Sequence, residues 1–231
     1  MDEKKIQRLK EIIERLHSGA SSDEVKKDFE AEFGTVSAEE LAAAERKLME
    51  SGAIVVEQVQ KLCDVHASVF GGSIEEIHQG KQADKTPGHP AFVFIKENEG
   101  LTNFINTEFS NAVKAYKQDK SEAAKANLLA ELKSLSKLDK HYARKENLFF
   151  PYMEKAGITA PPKVMWGVDD EIRDLWKSCI RSLETEGTVQ EASLDKLIEQ
   201  VLGMINKENN ILMPMLSGVM DGDSWLTVAR D

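Results

Sequence analysis

Glu146 stands where a carboxylate is costly. Winding residues 135 to 153 at about 100° per residue puts Leu135, Leu138, Tyr142, Glu146, Phe149 and Met153 on one stripe. An ionised group on an apolar stripe is expensive unless a cation, a metal or a hydrogen-bond network receives it. Three other segments repeat the exception. Glu97 and Asn98 flank the line of Phe94, Leu101, Ile105 and Ala112. Asp169 lies beside Met165, Val168, Ile172, Trp176 and Cys179, and Glu208 and Asn209 flank Leu194, Ile198, Val201, Ile205 and Leu212.

Depth makes these four carboxylates a layer. Measured from the rim that holds His89, Pro151, Pro162 and Pro214, at about 1.5 Å of rise per residue, Glu97 falls roughly 12 Å in, Glu146 roughly 8 Å, Asp169 roughly 10 Å and Glu208 roughly 9 Å. One inward carboxylate per helix at a shared level is how di-metal carboxylate bundles neutralise a pair of divalent ions. The competing reading is a buried salt-bridge network, because Lys145 lies only about 60° off the core line and Arg173 follows Asp169 by one helical turn. A short repeat, Lys145-Glu-Asn-Leu-Phe-Phe-Pro151 against Lys207-Glu-Asn-Asn-Ile-Leu-Met-Pro214, is offset by one residue.

The elements that must position this layer are helices. No run alternates β-branched and aromatic residues beyond Ile54 to Val56, so the chain is predicted to be all-α. Pro90 to Tyr116, Ser121 to Phe150, Lys163 to Leu183 and Ser193 to Met213 are the long segments, with stops at Pro151 and Pro214. Their short connections predict an up-down-up-down four-helix bundle over residues 81–231. Residues 1–80 are expected to form a separate small helical domain. Its helices are 4–17, Ser22 to Phe33, Ser37 to Met49 and Ile54 to Phe70, and the polar stretch 79–88 separates it from the bundle. In that domain Cys63 and His66 sit three apart, which is half of a metal site or an ordinary core pair. His17 falls at a helix end, where it complements the dipole, and His78 near a segment end is expected in solvent.

Composition narrows the function classes. With 41% hydrophobic residues, 30% charged residues and a net charge of −10, the chain reads as globular and acidic, without the basic stripe that nucleic acid requires. It has no long apolar run or signal-like start, so no membrane partner and a cytoplasmic location are expected. Two cysteines do not make a disulfide framework.

Taken together, Leu62-Cys-Asp-Val-His66, Gly88-His-Pro90, Glu97-Asn98, His141-Tyr-Ala-Arg-Lys-Glu-Asn147, Val164-Met-Trp-Gly-Val-Asp-Asp-Glu-Ile-Arg173 and Lys207-Glu-Asn209 through Pro214-Met215 resemble the hemerythrin-like HHE cation-binding family. The branch is the bacterial one in which a helical domain of unknown function precedes the bundle. The resemblance implies an iron-binding four-helix bundle with His and Glu ligands from every helix. Carried over by position, the family's histidines fall on Asn98, Tyr142, Asp169 and near Met204 or Ile205, while Glu146 and Glu208 remain and His141 stands one place from the usual pair. A five-histidine oxygen carrier is therefore not expected. An oxygen-rich metal site of Glu97, Glu146, Asp169 and Glu208, with His141 or His89 at its edge, suits iron, manganese or even magnesium, as one ion or a di-metal pair.

Haem is the alternative cofactor, with His141 or His89 as axial ligand and Tyr142 beside it. Many relatives are joined to a sensory PAS-type domain, and this chain ends soon after Trp225, so a signal is expected to pass to a separate partner. No phosphate loop or nucleophile arrangement is present, which favours a protein that senses or stores iron, haem or a redox-active small molecule over an enzyme. A di-metal oxidase or peroxide-handling centre stays open, as does a helical interaction protein with a charged core and no ligand, in which Glu146→Gln and Glu208→Gln would leave or raise stability. The oligomeric state is not legible, and Trp225 is expected to dock on the bundle or on another subunit.

Overall fold

The computed structural model describes residues 3–18, 20, 22–33, 47–48, 51–52 and 86–230. Cys63, His66, His78 and the helices expected over 37–49 and 54–70 lie outside the described residues, as does the side chain of His17. Every regular element among the described residues is helical. α1 (Glu3–His17) and α2 (Ser22–Phe33) pack together by burying Leu9, Ile12 and Ile13 with Val25, Phe29 and Phe33. Arg8 with Glu32 and Arg15 with Asp28 tie their exposed edges.

The bundle has four rods. The first is α3 (Pro90–Phe104), a π turn (Ile105–Phe109) and α4 (Ser110–Gln118). The second is α5 (Glu122–Ser134), α6 (Lys137–Arg144), a π turn (Lys145–Phe149) and α7 (Phe150–Lys155). The third is the uninterrupted α8 (Ala160–Glu186), and the fourth is α9 (Glu191–Lys207), a π turn (Glu208–Leu212) and α10 (Met213–Val219). Each rod packs on the next in chain order, and the fourth closes on the first. Gly157 and Gly187, at φ 77° and 67°, make corners that a Cβ would strain.

Two of the predicted stops are not stops. The second rod runs past Pro151 to Lys155, and the fourth past Pro214 to Val219. In each, a π turn lies immediately upstream. Phe150 N–H reaches five residues back to the Lys145 carbonyl, and Met213 N–H to that of Glu208, so the chain is already widened where the proline cannot donate. The second rod is also broken at Leu135–Ser136, where a continuous helix was expected, and α8 starts with Pro161 and Pro162 in its first turn.

α11 (Gly222–Arg230) folds back over the rim. Trp225 is buried there against the rings of His89 and Phe149, so it docks on the bundle.

Candidate functional site

The π turns place the chemistry. A regular helix presents one stripe, whereas a π turn adds one residue to a turn and brings a second face inward. Lys145 and Glu146, the first two residues of the second-rod π turn, are accordingly both buried, and so is Glu208, which opens the π turn of the fourth rod. Aligned on the prolines, Lys145 and Glu208 are equivalent, each six residues before its proline. They meet: Lys145 Nζ lies 2.5 Å from Glu208 Oε1.

From that bond a continuous chain of charge crosses the bundle. Lys145 Nζ also donates to Asp169 Oδ1 at 2.8 Å, and all three side chains are at 0% exposure. The other Glu208 oxygen faces His141 Nε2 at 3.0 Å, and His141 Nδ1 lies 3.0 Å from Glu97 Oε2. An imidazole can donate from both nitrogens only as the cation, so His141 sits as an imidazolium between two carboxylates, with its ring stacked on Phe94. Arg144 completes the chain at the surface on Glu97 Oε1. Glu146 leaves the layer by another route. Both of its oxygens are held by Arg173, at 2.8 and 3.0 Å, and Arg173 also bonds Asp139 and Asp170. The Tyr142 ring is shared by the two branches, with Lys145 Nζ 4.5 Å and the Arg173 guanidinium 5.5 Å from its centroid.

The electrostatics follow from burial set against these partners. Burial by itself would raise the Glu208 carboxyl, but Lys145 and His141 together pull it down to about 2. Burial pushes Asp169 up to about 7 in spite of Lys145, since only one of its oxygens is bonded. Burial opposes the charge on His141, yet Glu208 and Glu97 raise its basicity above that of an ordinary imidazole. Glu97 is lowered, first by its bond to His141 and then by Arg144. Tyr142 is raised well above a normal phenol, chiefly by burial.

The predicted residues are thus brought together unequally. Glu97, Asp169 and Glu208 share one network with His141, while Glu146 is diverted onto Arg173. His89 caps α3, its Nδ1 accepting from Ala91 N–H at 3.2 Å, and packs on Trp225 at the rim rather than in the layer. The residues underrated in sequence are Lys145 and Arg144. A straight 3.6-residue winding leaves the first about 60° off the core line, and the π turn brings it fully inward. A third underrated feature is the cross-bundle bond from Asn98 Nδ2 to Asn209 Oδ1, at 2.8 Å.

A cleft of about 420 Å³ is lined by Leu101, Phe104 and Leu135, by Lys137, Lys140 and Arg144, and by Glu97 and His141 of the network.

Residues 9–85 match a family of unknown function, DUF438, and residues 89–216 match the hemerythrin HHE cation binding domain. No curated protein matches the chain. The second match supports a metal ion as the ligand of the bundle. No described helix is long and apolar enough to cross a membrane.

The donor atoms, as arranged, do not fit a resident metal. Both His141 nitrogens are bonded to carboxylates, so neither offers a lone pair to iron or to haem. Asp169 and Glu208 already share an ammonium. Among the described residues, no three carboxylate, imidazole or thiolate groups converge as a metal ion requires.

Proposed function

The chain belongs to the hemerythrin HHE cation-binding domain family, and from that premise we propose that it is a binding and sensing module rather than an oxygen carrier or an enzyme. The observation that carries this reading is Glu97. Its side chain, 30% exposed, is both the outer partner of His141 and part of the wall of the cleft. A ligand in the cleft therefore meets the buried network at Glu97 and at its two partners His141 and Arg144, which also line the cleft. An apolar lining with three cationic side chains suits an organic carboxylate with a short apolar body. Its carboxylate would compete with Glu97 for Arg144 and His141, and a change at His141 is passed to Glu208 and Lys145 through bonds of 3.0 and 2.5 Å.

The paired donors support the sensing half of the expectation formed from sequence. Its iron half rests on the family description alone. Calorimetric titration with hexanoate and benzoate tests the reading, with Fe(II) and haemin titrated in parallel. Saturable carboxylate binding, weakened by Arg144→Met and Lys140→Met, is expected without turnover of peroxide or oxygen. No saturation by either carboxylate, or peroxide turnover by the purified chain, would contradict it.

A further inference from the structure

The network holds a cation that cannot leave. We propose that the Lys145 ammonium is itself the central cation of this bundle, standing where a hemerythrin-family domain would receive a metal ion, so that the described fold is complete without one.

Three observations carry this. The ammonium is fully enclosed, with two carboxylate oxygens at 2.8 and 2.5 Å and the face of Tyr142 at 4.5 Å, which satisfies a compact cation as a small ligand sphere would. Each carboxylate of the layer has a cationic partner: Glu97, Glu146, Asp169 and Glu208 are each bonded to at least one of His141, Arg144, Lys145 and Arg173. No carboxylate of the layer is left without a counter-charge for a metal to neutralise. Finally, a divalent ion taking the same oxygens would lie against the ammonium, where like charges in a low-dielectric interior repel strongly. Lys145 and a metal therefore exclude one another at Asp169 and Glu208.

Exclusion gives the test. Removing the ammonium leaves the Asp169 and Glu208 carboxylates without it, an oxygen donor pair for a divalent ion whose remaining positions water can fill. Lys145→Ala and the bulkier Lys145→Met, each made in the full chain, are titrated with Mn(II) and Zn(II) alongside the parent and melted with and without EDTA. The parent is expected to bind neither ion stoichiometrically and to melt at the same temperature with or without chelator. The variants are expected to gain affinity on the order of 10-fold or more, to rise in melting temperature when metal is added, and to lose that gain when Asp169→Asn is added.

A parent that retains a stoichiometric metal and melts lower in EDTA overturns the inference. So does a folded Lys145 variant that binds no better than the parent. If neither variant folds, the chelator response of the parent decides alone. None of these readouts depends on the cleft, so a failure of the carboxylate-sensing reading is seen separately.

Discussion

At the scale of single residues, pH separates the partners of Lys145. The Glu208 carboxyl falls from 4.5 to about 2 on folding, so its contribution is present above pH 4.5 and is lost as pH falls through 2. A shift of that size is on the order of 3 kcal/mol. His141 shifts the other way, raised from 6.5, so its contribution is complete below pH 6.5 and is lost as pH rises through its folded value. Asp169, pushed from 3.8 up to about 7, has its proton favoured by folding, and stability on its account falls as pH rises between those values. Melting temperature should therefore peak at about pH 4, between the unfolded values of the two carboxyls, decline as Asp169 ionises towards pH 7, and decline further above pH 6.5 as His141 loses its proton. Scanning fluorimetry from pH 3 to 9 checks this, and a flat profile above pH 6.5 would contradict the imidazolium assignment of His141.

Substitution follows the same reasoning. Lys145→Met strands Asp169 and Glu208 in the interior and should cost about 3–5 kcal/mol in urea unfolding. Adding Glu208→Gln and Asp169→Asn to it should recover part of that loss, because the buried charge goes with the ammonium. Glu208→Gln alone should destabilise. The opposite follows only if the bundle is a ligand-free interaction module whose Glu208 charge is uncompensated; two direct cationic partners reverse that sign.

At the scale of elements, the π turns explain both what was legible and what was not. The rods and their apolar stripes follow from 3.6-residue spacing, and the inward carboxylates stood out because they broke it. The fates of Lys145, Pro151 and Pro214 did not follow, since a helix wound at constant pitch has no place for an extra residue. The one-residue offset in the short repeat was the available signal, as it sets Glu208 rather than Lys207 opposite Lys145.

A π turn is a one-residue insertion that keeps both flanks in register. Deleting the exposed Asn147 together with Pro151→Ala should therefore return the second rod to a plain helix at modest cost. Deleting the exposed Lys177 from the uninterrupted α8 should cost far more, because everything beyond it rotates by about 100°. Urea midpoints of the two deletions compare them directly, and equal losses would contradict the insertion reading.

At the scale of the whole molecule, the four rods set a pattern that two kinds of cation can satisfy. Carboxylates at one depth in a bundle are common to a metal layer and to a salt-bridge network, so sequence could reach the layer without deciding what neutralises it. The decision lies in side-chain directions at Lys145, His141 and Arg173 that only the packed structure fixes. The sequence places His141 at the edge of a site; in the structure it links the buried Glu208–Lys145 pair to Glu97 and, with Glu97 and Arg144, lines the cleft.

The most direct measurement is elemental analysis of the full chain, purified after growth with added iron, manganese or haemin and stripped of loosely held metal by gel filtration. The Lys145 account predicts far less than one metal per chain in every preparation, no haem absorption and an unchanged melting temperature. Near-stoichiometric iron or manganese surviving filtration, with a melting temperature that drops on chelation, would contradict it and return the carboxylate layer to a metal.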